Sequence, residues 1–198
     1  MRPFVSIAGV YPISYCGQRI ALRELTRRDA SAVHQWTGDS EAVSMIPLGP
    51  TRFSETRSYL RQIEREAGAR DRRVYTLGVI ELDTEDLVGS VGLTIDSAVH
   101  RRAEIGYIIR RDRWGSGLGT ETARAGLEIA FDRLELHRVW AVCDTSNTVS
   151  AHVLRNVGMH HEGQLRKDLR IGDQWRDADL FGIIEDEWRS QDSNGSQS

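Results

Sequence analysis

The change of residue period near position 110 restricts the fold more than any other feature of the chain. Ala103, Ile105, Tyr107 and Ile109 alternate with Glu104, Gly106 and Ile108, the two-residue repeat of a strand with two distinct faces. Three glycines follow at alternate positions, Gly115, Gly117 and Gly119. Ala123, Leu127, Ala130, Phe131 and Leu134 then recur at helical spacing, the buried stripe of a long helix. Glycine admits positive φ and lets a ligand approach without a Cβ in the way. The unbonded N–H groups of a first helical turn, helped by the helix dipole, attract an anion. A phosphate or diphosphate is the natural occupant; a merely tight strand-to-helix turn is the plainer alternative.

The same two periods organise the rest of the chain. Ile20, Leu22 and Leu25 read as an opening strand, and residues 29–36 as a helix with Asp29 near its positive end. After the break at Pro47, Gly49 and Pro50, Ser54 is expected to cap a second helix. That helix carries Tyr59, Leu60, Ile63 and Ala67 at helical spacing, and Gly68 stops it. Val74–Leu82 and Leu87–Thr94 read as a hairpin across an acidic turn. A strand over 139–143 follows the long helix, then a helix with Val149, Val153, Leu154 and Val157, closed by Gly158. Strands over 163–169 and 178–184 flank Gly172-Asp173. The order β-α-α-β-β-β-α-β-α-β-β predicts an α/β (α+β) fold, a mixed sheet with helices on its faces.

With 198 residues and no internal repeat or linker, one hydrophobic core suffices. A single domain is expected over 20–188, between an irregular leader (1–19) and a flexible tail (189–198). A net charge of −3 offers no excess of cations for nucleic acid. No run approaches the ~18–20 apolar residues of a membrane span, and the leader has no convincing export signal. Two cysteines, Cys16 and Cys143, make no disulfide framework, so a reducing cytoplasm is expected.

Which phosphate ligand suits the loop can be narrowed. A Walker A loop needs Lys then Ser/Thr after its last glycine, and Thr120-Glu121 stands there. The dinucleotide pattern G-x-G-x-x-G fails at Thr120. The stretch from Tyr107 to Ala123, with Asn147-Thr148-Val149-Ser150, Val153 to Met159 and Glu162-Gly163, instead resembles the GCN5-related N-acetyltransferases (the GNAT superfamily). It is most similar to their RimJ/RimL-type branch, which acetylates ribosomal-protein N-termini. The order of elements agrees from about Ile20 to Trp188, and Trp175-Arg176-Asp177 and Glu187-Trp188 have counterparts in that branch.

The resemblance implies a central sheet, mostly antiparallel, in which two parallel strands splay apart to admit acetyl-CoA. Ile108 and Ile109 would pair with the pantetheine amides. The diphosphate would rest on the N–H groups of Gly115, Ser116, Gly117, Leu118, Gly119 and Thr120, the Thr120 hydroxyl adding a bond. Arg110, Arg111 and Arg113 could meet phosphates by charge, at least one of them being merely solvated. Asn147 would hold the pantetheine arm from the other strand. Trp114 stands where the superfamily often has Gln or Arg, as is common in the RimJ/RimL branch. Leu154 occupies the place of the tyrosine that many members use as general acid, which excludes a mechanism resting on that tyrosine.

Acetyl transfer from a thioester to an amine requires the amine to lose a proton, an oxyanion to be stabilised and a thiolate to leave. A thiol of pKa roughly 8.5 leaves tolerably near neutral pH. Glu104 is the candidate base, the alternative being a structural carboxylate paired with Arg101 or Arg102. The Ser150 hydroxyl is the candidate acid, the alternative being an early-helix serine bonded to backbone. The Ile109 N–H could polarise the carbonyl. His160-His161 lacks further ligands at metal spacing, so no metal is expected. Cys143 reads as a small buried residue. Trp36, Trp140, Trp175 and Trp188 read as core or sheet cover, one of which could wall the acceptor pocket.

The expected partners are acetyl-CoA and an amine acceptor, with neither nucleic acid nor membrane; a homodimer is a further candidate. The acceptor side is expected between Pro47 and Arg73, where Arg52, Arg57, Arg61 and Arg65 mix with Glu55, Glu64 and Glu66. That mixture favours a protein or peptide N-terminal amine over an antibiotic or polyamine. A non-catalytic CoA-binding sensor is the alternative from another class, and the complete glycine loop with Asn147 and Ser150 argues against it.

Overall fold

The computed structural model describes residues 11–195, with side chains as far as Gln191. Its strands are β1 (Ser14–Cys16), β2 (Ile20–Glu24), β3 (Val74–Glu81), β4 (Leu87–Ser97), β5 (Arg102–Ile109), β6 (Arg138–Asp144), β7 (His160–Ile171) and β8 (Gln174–Ile184). They form one sheet in the order β1-β2-β3-β4-β5-β6-β8-β7. Every neighbouring pair is antiparallel except β5 and β6. The helices are α1 (Ala30–Thr37), α2 (Phe53–Ala67), α3 (Leu118–Glu128), α4 (Thr148–Asn156) and α5 (Glu185–Gly195). This is the mixed sheet that the periodicities predict.

Alternation along β5 sends its residues to two separate cores. Ala103 and Ile105 join Ala123, Leu127, Phe131 and Leu154 under α3 and α4, with Tyr107 packed at the margin. On the other face Ile108 packs against a smaller cluster that holds Val33 and Trp36 of α1 and Leu60 and Ile63 of α2. Glu104 and Gly106 share that second face by strand alternation. The sheet is therefore a wall between an α3/α4 side and an α1/α2 side.

The structure differs from the sequence reading in local ways. The leader expected over 1–19 contributes β1, paired with β2 at Tyr15↔Leu22; residues 1–10 lie outside the described residues. The expected tail continues α5 as far as Gly195, and residues 196–198 lie outside the described residues. Ser54 does not cap α2. The Arg52 N–H at the helix start donates to the Glu55 carboxylate (2.6 Å), because a side chain in the first turn can fold back onto that orphan donor. Tyr59 is exposed, and buried Thr56 joins Leu60, Ile63 and Ala67 on the inner face. Val149 opens α4 in solvent, 74% exposed, while Ala151, Leu154 and Val157 carry the buried stripe. Trp36 and Trp188 are core residues, but Trp175 is exposed at the β7–β8 hairpin. No helix among the described residues is long and apolar enough to cross a membrane.

Candidate active site

The parallel pair defines the site by ending early. Its register runs only through Arg102↔Arg138, Ala103↔Val139 and Glu104↔Trp140. Beyond Glu104, β5 stays with β4 as far as Gly89↔Ile109, while β6 follows β8 to Asp144. Among the described residues the inner edges of both strands then lack a neighbouring strand. The Arg110 N–H donates to the Val88 carbonyl on the β4 side (2.7 Å). Backbone groups alternate along a strand, so the Ile109 N–H faces the side that β6 has left. The Ile109 carbonyl accepts from the Trp114 indole N–H (2.8 Å), which gives this half-exposed tryptophan a role in orienting the strand end.

From Ile109 the chain makes a short 3-10 turn, Arg111–Arg113, and enters the glycine loop. Gly115 (φ 73°) and Gly117 (φ 83°) occupy the left-handed region, where any Cβ is strained. A Cβ at Gly115 would meet no atom within 4 Å, and one at Gly119 none nearer than Val153 at 3.7 Å. Space is open at these two positions, whereas a Cβ at Gly117 would meet the Arg19 Nη2 at 3.3 Å. Buried Leu118 anchors α3 beneath it. The Glu121 N–H donates to the Gly117 carbonyl (3.2 Å), so the N–H groups before it stand ahead of the helical ladder. Ser116 turns its hydroxyl back onto the Arg113 carbonyl (2.6 Å), and among the described residues the half-buried Thr120 hydroxyl has no partner. The loop thus has the form of an anion cradle whose exposed donors are backbone, as a diphosphate requires.

The three preceding arginines are already engaged. Arg110 bonds Asp112, Asp86 and Gln35, Arg111 bonds Asp39 and Glu41, and Arg113 bonds Glu81 and Asp112. Each guanidinium sits in a carboxylate network that raises its pKa. Their acidic partners are both local (Asp112) and distant in sequence (Asp39, Glu41, Glu81 and Asp86).

Glu104 sits at the fork itself, half-buried, beside Trp140. Burial pushes its carboxyl above the usual carboxylate range, and Asp96 and Asp168 push the same way. Neither expected arginine neutralises it: Arg102 pairs with Asp96 (2.7 Å) and Arg101 with Glu185 (3.4 Å). Among the described residues its carboxylate has no hydrogen bond or ion pair.

Ser150 approaches from the opposite face. Its hydroxyl bonds the Tyr107 hydroxyl (3.1 Å), joining α4 to β5 across the gap rather than bonding the α4 backbone. Burial raises Tyr107 to about 12, against a smaller lowering by Ser150. Asn147 caps α4, its side-chain oxygen accepting from the Ser150 N–H (3.0 Å), which leaves its amide donors for a ligand. Cys143 is buried on β6 and pushed up to about 11 by desolvation, so it stays a thiol near neutral pH. His160 and His161 turn to separate carboxylates, Glu187 and Asp179. Tyr107 was the residue that strand alternation placed on this face without a role. Its partner lies 43 positions away, and no local spacing signals that contact.

The chain resembles known proteins over most of its length. Residues 19–160 match the sequence profile described as the acetyltransferase (GNAT) domain. The N-acetyltransferase YnaD of Bacillus subtilis is 28% identical over 171 residues, covering 86% of this chain and 96% of its own. The spermidine N(1)-acetyltransferase of Escherichia coli is 29% identical over 180 residues, covering 90% and 92%. Among solved structures, Mycobacterium smegmatis RimJ in complex with CoA-disulfide superposes with a TM-score of 0.77 at 25% identity, covering 93% of this chain and 96% of that one.

Proposed function

The chain belongs to the GNAT acetyltransferase family, and on that premise we propose that it carries the acetyl group of acetyl-CoA to the amine at a protein or peptide N-terminus, as the RimJ/RimL-type branch does. The observation that carries this reading is the Glu104 carboxylate, half-buried and unpaired where β5 and β6 part. When bound, acetyl-CoA supplies an activated acetyl thioester and a thiol of modest basicity. The diphosphate would be held by the N–H groups from Gly115 to Thr120, and the pantetheine arm by the Ile109 backbone and the Asn147 amide.

Glu104 and Ser150 stand on opposite faces of the sheet, and the fork is the opening they share. An amine entering from the α1/α2 side meets Glu104, which accepts its proton directly or through a water. The side of the gap under α4 meets Ser150 and Tyr107. A phenol raised to about 12 is a poor proton source near neutral pH. The hydroxyl pair therefore stabilises a leaving thiolate by hydrogen bonding. The Met45 sulfur lies 3.7 Å from the Ser146 hydroxyl, so the segment between α1 and α2 reaches the loop before α4 and walls the acceptor side.

A linear polyamine is the second reading, favoured by Asp168, whose charge acts on Glu104 and suits a cation. Thiol release from acetyl-CoA, measured with N-terminal peptides, spermidine and aminoglycosides, separates the cases. Peptide turnover well above polyamine turnover is expected. The reverse order selects the second reading, and tight CoA binding without turnover on any amine would leave only a sensor.

A further inference from the structure

Arg19 lies in the stretch read from sequence as an irregular leader, yet its backbone is fixed. Its carbonyl accepts from the Leu82 N–H (2.8 Å), which holds it at the end of the sheet where β5 meets the glycine loop. Its own N–H and its Nε donate to the two Glu121 carboxylate oxygens (both 2.9 Å). Its Nη1 donates to the Ser116 carbonyl (2.9 Å). Ser116 and Glu121 are the residues on either side of Gly117–Thr120. Arg19 therefore grips both ends of the segment whose N–H groups form the cradle.

We infer that Arg19 is a positioning residue for the cofactor, pinning the Ser116–Gly117 peptide so that the Gly117 N–H faces the diphosphate. The C=O and N–H of a trans peptide point in opposite directions. A Ser116 carbonyl held by Arg19 turns the Gly117 N–H the other way. Gly117 sits at φ 83° two residues after Gly115 at φ 73°, and glycine resists rotation of a peptide plane least. A rotated plane would present a carbonyl oxygen to the diphosphate and repel it. Arg110, Arg111 and Arg113 are bound to carboxylates elsewhere, so among the described residues Arg19 is the arginine whose side chain holds this loop. Its side chain is 49% exposed. Exposed ion pairs add little stability, so the consequence falls on binding rather than folding.

The inference rests on the acetyl-CoA reading of the loop, and a pair of donors tests the two separately. S-acetylpantetheine carries the same thioester and arm without the diphosphate. In Arg19→Ala, KM for acetyl-CoA should rise about tenfold with kcat within about twofold, while kcat/KM for S-acetylpantetheine stays unchanged. Arg19→Lys keeps the charge and safeguards folding but cannot make the same fork, so it should lose nearly as much. A lysine variant equal to wild type, an alanine variant equal to wild type, or an equal loss on both donors would overturn the positioning role alone. A wild-type enzyme that does not distinguish the donors would overturn the diphosphate reading and this role with it.

Discussion

Glu104 sits where its surroundings resist charge. Burial raises its pKa, with Asp96 and Asp168 adding to the effect. A carboxyl raised on folding holds its proton more tightly in the folded chain, so stability falls as pH rises from the unfolded value, near ~4.3, through the folded one. Glu104→Gln should therefore raise the urea midpoint at pH 7, with the gain vanishing below the unfolded value. The same substitution should lower kcat by about 10²-fold or more and remove the acidic limb of the pH–rate profile, leaving Kd for CoA intact. A profile that keeps its acidic limb would remove Glu104 as base. Across the gap, Ser150→Ala and Tyr107→Phe should each lower kcat roughly tenfold, and the double variant little further, because both act through one hydrogen-bonded pair. With Tyr107 raised to about 12, it should contribute no basic limb near neutral pH.

At the scale of elements, α4 and the glycine loop each serve the fold and the ligand with the same atoms. Asn147 caps α4 with its oxygen, and among the described residues its NH2 group has no partner. Asn147→Asp keeps the cap and loses the donors, so thermal stability should hold while CoA affinity drops; Asn147→Ala should lose both, the cap costing about 1 kcal/mol. Gly117→Val should abolish CoA binding by calorimetry, since residue 117 lies in the left-handed region at the mouth of the cradle; unchanged affinity would refute the loop assignment. These elements were legible in the sequence because the rules behind them are local. Alternation from Ala103 to Ile109 follows from a strand that buries one face more completely than the other, and the Gly115, Gly117 and Gly119 loop from the backbone freedom it needs. Contacts between distant residues were not legible. Beyond its neighbour Asp112, Arg110 meets Asp86, 24 positions away, and Gln35, 75 positions away. Tyr107 was placed on a strand face with no sign of its bond to Ser150, 43 positions away, and Arg19 fell in the leader with no sign of its tie to Ser116, 97 positions on. Val149 kept the helical spacing but falls in the first turn of α4, beyond the packed surface.

In the whole molecule the sheet separates two layers, and its first strands hold the scaffold together far from the fork. Glu24, at the end of β2 opposite Arg19, receives both terminal nitrogens of Arg72 (2.7 and 2.9 Å) and the Ile13 N–H (3.1 Å). Arg72 also donates to the Val74 carbonyl (3.0 Å) and lies over the Tyr75 ring, 4.2 Å from its centroid. The pair is nearly dry, with side chains 5% and 10% exposed. Removing one partner leaves the other charge buried without compensation, whereas removing both charges need cost little. Arg72→Met should therefore destabilise the fold by about 3–5 kcal/mol, seen as a lower urea midpoint at unchanged m-value. Arg72→Met combined with Glu24→Gln should recover most of that loss, because the amide oxygen still accepts from Ile13. KM for acetyl-CoA should match wild type in both variants below the unfolding transition, since the pair lies at the far end of β2 from the glycine loop. A double variant as unstable as the single one would assign the stabilisation to Arg72 packing on Tyr75, and the buried charge would no longer explain it.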